Sequence, residues 1–472
     1  MGAHAGGQKA PYYHRSLDFE ALCRDYPPAG EYLERVHRLS RDELHHLQDK
    51  RFRRQVARAW DIPFYQRHWG AAGVERGDIK SIEDLPRLPP YTVHDLRASI
   101  ERAPPFGDQV GIDWDTAEPI PLLLQTSGGT TGLPRPMIYT PQDRETMNIL
   151  SSRRLWMQGV RPFDRVQVAL TLGLANGGLL GREALWKYSG AIPVMTGSGA
   201  VTPTRRQIEI AKAWGVNVLI AFPAYLRHMA LVARDELGVA PDSLGIKSLL
   251  THLGVDDRAQ MEALWGAPVY DCYGTNECGA IAADCEHRNG MHVFEDAFVV
   301  EVIDSGTLRP SAPGQKGTVF LTTLFKYAAP VIRFDSGDVS AIALGMCPCG
   351  GTHIRLERIY GRNDGMIKLR GVNVFPEAIA TIVANDPRSN GEFVCIVERV
   401  GADERDEMTV LVEVAEDGVD RADLERSLAT RCRDVLGVKL RIQAVDKGVT
   451  DTHTGLSKTS KIKRVVDRRK SQ

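Results

Sequence analysis

The stretch IPLLLQTSGGTTGLPRPMIYT, residues 120–140, sets an apolar run, a Ser/Gly/Thr loop and a short extended piece in succession. Glycines let a backbone approach an anion closely, and Ser127, Thr130 and Thr131 add hydroxyls beside exposed N–H groups. A flexible surface turn fits the same residues. No Gly-Lys-Ser/Thr occurs here or elsewhere in the chain, which excludes a Walker A loop. If the loop grips phosphate, another segment must bring the cation.

The text downstream alternates short apolar segments with longer helical ones: RVQVAL, VNVLIAF and APVYDCYG, with a helix opened by Thr140 and Pro141. That alternation predicts an α/β sheet with many parallel pairings over about 120–280. From about 293 to 345 the pattern becomes strand-like with Gly/Pro punctuation, as in KGTVFLTTL, and predicts a β-rich subdomain. Beyond RIYGRNDGMIKLRG the chain predicts a smaller α+β unit, with a helix near 376–385, strands FVCIVERV and MTVLVEV, a helix RADLERSLATRCRDVL and a last strand KLRIQAV. The expected fold class is therefore α/β: a large N-terminal domain, 1–362, of α/β sheets plus a β-rich subdomain, and a small mobile α+β C-terminal domain, 363–472. Upstream, Ser40 and Glu43 form a capping-box pattern before Leu44, Leu47, Phe52, Val56, Ala59 and Trp60 at helical spacing.

The chain has 472 residues, with 59 Lys plus Arg against 60 Asp plus Glu, a balance that supplies no global field for nucleic acid or an anionic membrane. Residues 1–30 lack the apolar core of a signal peptide, position 6 is Gly where a myristoylation signal wants Ser or Thr, and no run of about 18 apolar residues occurs. A cytoplasmic small-molecule enzyme is expected, a monomer or homodimer. Its 8 cysteines would stay reduced there, so clustered ones point to metal or reactivity before disulfides.

YDCYGTNECG, 270–279, places Asp271, Tyr273 and Glu277 at a strand-to-loop transition, where α/β sheets hold ligands. Tyr273 can stack on a base, and Glu277 offers oxygen to Mg²⁺. RFDSGD ends on Asp338, a carboxylate after a tight Gly turn that can accept from both hydroxyls of a ribose. Each is ordinary turn chemistry alone; their order carries more. A Ser/Gly/Thr loop, YGTNE, SGD, GRNDGMIKLRG and a basic tail with SKTSKIKRV together resemble the adenylate-forming superfamily, specifically its phenylacetate-coenzyme A ligase branch. LQDKRFRRQVARAWDIPFYQRHW and IKSIEDLPRLPPYTVHDLR look like that branch's entry segment.

The resemblance implies a ligase that converts an aromatic or related carboxylic acid, with ATP and Mg²⁺, to an acyl-adenylate and then to a coenzyme A thioester, leaving AMP. Ser127, Gly128, Gly129, Thr130, Thr131 and Gly132 match the phosphate loop. Gly254, Asp271, Tyr273 and Gly274 match the adenine side, Asn276 stands at the phosphate-contacting position where relatives usually have Thr, and Glu277 matches the Mg²⁺ ligand. Asp338 and Arg362 fall at the ribose positions, Asp364 at the hinge and Gly371 on the thiol tunnel. Lys461 aligns with the catalytic lysine. A carboxylate attacking the α-phosphate brings two anions together, which calls for Mg²⁺ and a positioned ammonium and for no protein nucleophile. The acyl pocket is expected among TLGLANGG, AFPAYLRH and CYGTNE, with Phe222 and Tyr225 as candidate walls.

Cys285 and His292 in CEHRNGMH, with Cys347 and Cys349 in CPCGG, make a tetrahedral zinc set if the segments meet. The resemblance implies a structural zinc; His287 competes for the nitrogen position and Cys278 for a thiolate. The chain departs from the family's usual text at Asn276 for Thr, in FDSGD, at Gly365 for the second hinge aspartate, at Ser460 for Gly and in GVDD. These departures suit an unusual, biosynthetic member of secondary metabolism. Two alternatives stay open: the activated acid passes to an amine or a carrier protein, or the acid is nitrite, activated for N–N bond formation. A catalytically silent scaffold is disfavoured because Glu277, Asp338, Arg362 and Lys461 are all present.

Overall fold

The computed structural model describes the chain apart from residues 1–11, 117, 128–133, 255, 364–366, 370, 371, 375, 401–404, 457–461, 471 and 472. Helix α1 (Arg41–Ala59) begins with the expected capping box: the Ser40 N–H donates to Glu43 at 2.9 Å and the Glu43 N–H to Ser40 Oγ at 3.3 Å. It buries Leu44, Phe52, Val56 and Ala59, but also Gln48, whose amide donates to the carbonyls of Glu295 and Phe298 at 2.9 and 3.0 Å. Strands β1 (Leu123–Thr126) and β2 (Pro136–Tyr139) pair antiparallel and carry the Ser/Gly/Thr loop between them.

Helix α2 (Pro141–Met157), capped by Thr140, lies almost wholly inside the molecule although its sequence is polar. Buried charges are tolerated only when paired. Here Arg153 meets Asp296 at 2.9 Å, Arg144 meets Glu183 at 2.9 Å, and Glu145 accepts from Lys187 at 2.6 Å.

The chain then winds β3 (Arg165–Val168), α3 (Asn176–Ala184), β4 (Ile192–Val194), α4 (Thr204–Trp214), β5 (Val218–Ile220), α5 (Pro223–Leu231), β6 (Ser248–Thr251), α6 (Arg258–Trp265) and β7 (Val269–Thr275). These strands pair in parallel, as the alternation required. Next come β8 (Gly279–Ala283), β9 (Met291–Val293), β10 (Phe298–Ile303), β11 (Gly317–Thr323), β12 (Phe334–Ser340), β13 (Arg355–Leu356) and β14 (Gly361–Arg362). Among the described residues one sheet runs β13-β9-β8-β7-β6-β5-β3-β4, and β10-β11-β12-β14 form the expected β-rich part.

The small C-terminal unit has its own core and consists of β15 (Ile367–Leu369), β16 (Val372–Val374), α7 (Pro376–Ala384), β17 (Ser389–Val400), β18 (Arg405–Val414), α8 (Arg421–Leu436), β19 (Arg441–Val445) and β20 (Val465–Asp467). Its sheet is ordered β19-β18-β17-β20. Strand β20 was not expected: its segment, KIKRVVDRRK, is dominated by charge and hides a three-residue strand that pairs in parallel with β17. No helix among the described residues is long and apolar enough to cross a membrane.

Candidate active site

The C-terminal ends of β5, β6 and β7 deliver the loops at Phe222, Gly254 and Asn276–Glu277 to one edge of the parallel sheet, where doubly wound folds hold ligands. The β1–β2 hairpin reaches the same edge. Tyr139 Oη donates to the Asn276 carbonyl at 2.6 Å, and Arg135 forms a buried ion pair with Glu277. The Ser127 N–H donates to the Arg135 carbonyl at 3.0 Å, so the loop leaves the hairpin directly beside Glu277. Of the expected phosphate-loop residues the structure places Ser127; Gly128, Gly129, Thr130, Thr131 and Gly132 lie outside the described residues.

Burial opposes the charge on Glu277, yet its pKa lies below the ordinary carboxylate range because the Arg135 guanidinium faces it. Lys326 is 3% exposed, sits 5.0 Å above the Tyr139 ring, and lines with Arg135 and Glu277 a cavity of about 30 Å³ beneath the hairpin. Burial lowers its pKa against the pull of Cys278, Asp143 and Glu277. Arg135 and Lys326 were missed by the sequence reading. The signal for Arg135 was present in the opening stretch, three positions after Gly132; nothing in the text around Lys326 marked it as a site residue.

Asp338 is held from two sides. Tyr273 Oη donates to Oδ2 at 2.7 Å and Arg362 Nη1 meets Oδ1 at 2.8 Å, because β12 and β14 register Asp338 opposite Arg362. Gly337, with φ 74°, is not in the expected turn: it lies inside β12, next to this carboxylate, where the pairing with β11 shifts register. Gly274 is required where β7 bends into β8: a Cβ there would collide with the Gly279 carbonyl. Gly254 adopts φ 57° in the loop after β6.

Two expected contacts take different places. Asp271 lies behind the adenine-side loop, buried, accepting from the N–H groups of Leu253 at 2.7 Å and Cys272 at 2.8 Å. These two bonds brace the loop after β6 against β7. Tyr225, an expected pocket wall, is a fully buried core residue whose hydroxyl meets Thr204 at 3.0 Å and Gln207 at 2.9 Å. Phe222 is half-buried, 5.8 Å from the His252 ring, and remains at the site edge. Asp364, Gly371 and Lys461 lie outside the described residues.

Burial and the neighbouring Asp284 push Asp271 up to about 7. A carboxyl with a folded pKa above its unfolded value costs stability as pH rises between the two values, since only the folded state keeps the proton there. Asp271→Asn is therefore expected to flatten the fall in stability between about pH 4 and pH 7. Urea unfolding across that range measures it, and an unchanged slope contradicts the assignment.

The cysteine segments meet beside β9, between the end of β8 and the loop before β13. Ligand atoms of Cys285, His292, Cys347 and Cys349 all lie within 4.8 Å of one another. Cys285 and Cys347 sulfurs are 3.6 Å apart and His292 Nε2 is 3.4 Å from Cys349 Sγ. His287, the competing nitrogen, is on the surface beside Glu286, and Cys278 is not part of the group. His37, which no sequence pattern singled out, stands 3.8 Å from Cys349 Sγ and packs edge-on against the His292 ring.

Comparison with known proteins follows the same lines. Residues 371–469 match the AMP-binding enzyme C-terminal domain. A phenylacetate-coenzyme A ligase of Thermus thermophilus is 31% identical over 466 residues, covering 93% of this chain and 100% of that protein. The Escherichia coli phenylacetate-coenzyme A ligase is 28% identical over 88% of this chain and 94% of its own. Crystal structures of a 2-hydroxyisobutyryl-CoA ligase, 28% identical, superpose with a TM-score of 0.79 in the postadenylation state with 2-HIB-AMP, over 95% of this chain and 92% of that one. The same ligase in its thioesterification state gives 0.66, over 92% and 91%. Fold, site and sequence agree: the chain belongs to the phenylacetate-coenzyme A ligase family of AMP-forming acid-thiol ligases.

Proposed function

We propose that this chain activates an aromatic or related carboxylic acid as its adenylate and passes the acyl group to coenzyme A, both steps using one site. The observation that carries the reading is Asp338, held between Tyr273 and Arg362 at the same sheet edge where Glu277 lies under the Ser127 loop. Asp338 accepts from the ribose hydroxyls while Arg362 and Tyr273 fix its two oxygens. The N–H groups and hydroxyls of the loop hold the phosphates. Gly254 allows adenine to lie flat against the loop after β6.

Glu277 fits a Mg²⁺ ion: it is a buried carboxylate kept ionised, and Mg²⁺ commonly takes one or two carboxylates together with nucleotide phosphates. When bound there, Mg²⁺ neutralises phosphate charge as the carboxylate attacks. Arg135 would then give up Glu277 and turn its charge toward the phosphates. Lys461 supplies the ammonium at the α-phosphate, arriving on the small unit. The domain limit falls between Arg362, still paired in the large unit, and Ile367, which packs in the core of the small one, with Asp364 as the hinge and Gly371 on the thiol path.

Zinc suits the second cluster. Three thiols and one imidazole form a Cys3His set, and sulfurs at about 2.3 Å from a tetrahedral ion stand about 3.8 Å apart, close to the separation found. The buried Nδ1 of His292 has no hydrogen-bond partner, which leaves the ring oriented by Nε2 alone. A zinc held by these residues would be structural, tying β9 to the end of β8 and the loop before β13.

Pyrophosphate release assayed over a panel of aryl, arylacetic and short hydroxy acids tests the first step. The reading expects release that depends on one class of acid and on Mg²⁺. Release with none of them contradicts it.

A further inference from the structure

The small unit meets the large one through charges centred on the buried Glu392. Arg227 on α5 lies 3.1 Å from Asp256 and 3.6 Å from Glu392. Asp256 stands two residues beyond Gly254 in the loop after β6, and Glu392 belongs to β17 of the small unit. The other oxygen of Glu392 takes Arg464 at 2.8 Å, and Arg464 also donates to the Phe393 carbonyl at 2.7 Å. Arg464 is three residues beyond Lys461. A line of contacts thus runs from the nucleotide-side loop through Arg227 and Glu392 to the segment that carries Lys461.

Three features make this line specific to one orientation. Glu392 is 3% exposed and sits between two guanidinium groups, so removing its charge leaves two half-buried cations without the carboxylate between them. Gly391 takes φ 86° directly under Arg227, where a Cβ would lie 3.1 Å from Nε. Beside it, Gln260 on α6 donates to the Ala384 carbonyl at 2.6 Å and to Asn385 at 2.9 Å. An apolar interface would tolerate sliding, whereas paired charges lose their partners within a small rotation and regain water when exposed. The chain superposes better on the postadenylation form of the solved relative than on its thioesterification form, and we assign these contacts to the former arrangement on that ground.

We propose that Arg227 and Glu392 are positioning residues for adenylation: their pairing docks the small unit so that Lys461 faces the nucleotide, and it opens before the thiol step. The inference rests on the two-step reading above. Both act through Arg464, which Glu392 holds, and neither is offered as a substrate contact.

The test measures the half-reactions separately in Glu392→Gln and in Arg227→Met, using the acid on which the unmodified chain releases most pyrophosphate. Single-turnover pyrophosphate release is expected to fall about 10-fold to 100-fold. Thioester formation from the chemically prepared adenylate of that acid plus coenzyme A is expected to stay within about 2-fold or to rise, since the closed arrangement has lost its advantage. Arg227→Lys, which keeps the charge, is expected to recover part of the first rate; if the other two variants fold poorly, the same split measured in Arg227→Lys alone decides the matter. Equal losses in both half-reactions, or none in either, overturn the assignment. An unmodified chain that releases no pyrophosphate with any acid refutes the two-step reading itself, which keeps the two failures apart.

Discussion

Lys461→Ala is expected to lower pyrophosphate release by a factor on the order of 10²–10³, with little change in the thioester step from a supplied adenylate. Attack on the α-phosphate joins a carboxylate to a polyanion, and removing one fixed donor from such a transition state typically costs about 3–4 kcal/mol. Arg135 and Lys326, two buried cations of the large unit, lie beneath the hairpin around Glu277. Neither is carried to the nucleotide by a moving part, so neither replaces an ammonium delivered from the small unit. ATP binding, set by Asp338, Tyr273 and the loop, should change by less than about 5-fold, because uniform binding and transition-state stabilisation are separable. Full pyrophosphate release by the variant would remove Lys461 from the mechanism.

Cys349→Ser is expected to release one equivalent of zinc and to lower stability by an amount on the order of 5 kcal/mol, the scale reserved for loss of a metal. Hydrogen bonds from Cys285, His292 and His37 hold the Cys349 thiol well below its ordinary pKa, which favours the thiolate a metal needs. The segment that zinc would fix carries Gly351, whose Cβ position is filled by the His37 ring, so the N-terminal helices dock on the same cluster. Metal analysis of the purified protein with a thermal melt before and after chelation measures the effect. A protein with no zinc and an unchanged melting temperature contradicts the assignment.

How much was legible in the sequence follows from what kind of signal each feature leaves. The parallel sheet was legible because β3, β5 and β7 lie in the apolar segments RVQVAL, VNVLIAF and APVYDCYG, whereas β6, SLLT, carries a polar residue at each end and was not singled out. Helix α2 showed its cap at Thr140 but not its central burial, since its charges are satisfied by Glu183, Asp296 and Lys187 from distant segments. Asp338 and Arg362 were found as motif residues, yet their pairing is a product of register between β12 and β14. The burial of Asp271 and Tyr225 was not legible, because a motif gives the position of a residue and not what packs around its side chain. Arg227, Glu392 and Arg464 left no local trace because the interface they form joins segments far apart in the chain.

The central claim is that one site makes an adenylate and then a thioester. Incubation with ATP, Mg²⁺, coenzyme A and a mixed pool of aryl acids and amines, read by mass spectrometry of the products, tests it most directly. The account predicts AMP and a single class of acyl-coenzyme A thioester, with AMP release dependent on coenzyme A. Amides or an N–N bonded product, formed at the same rate without coenzyme A, would contradict it.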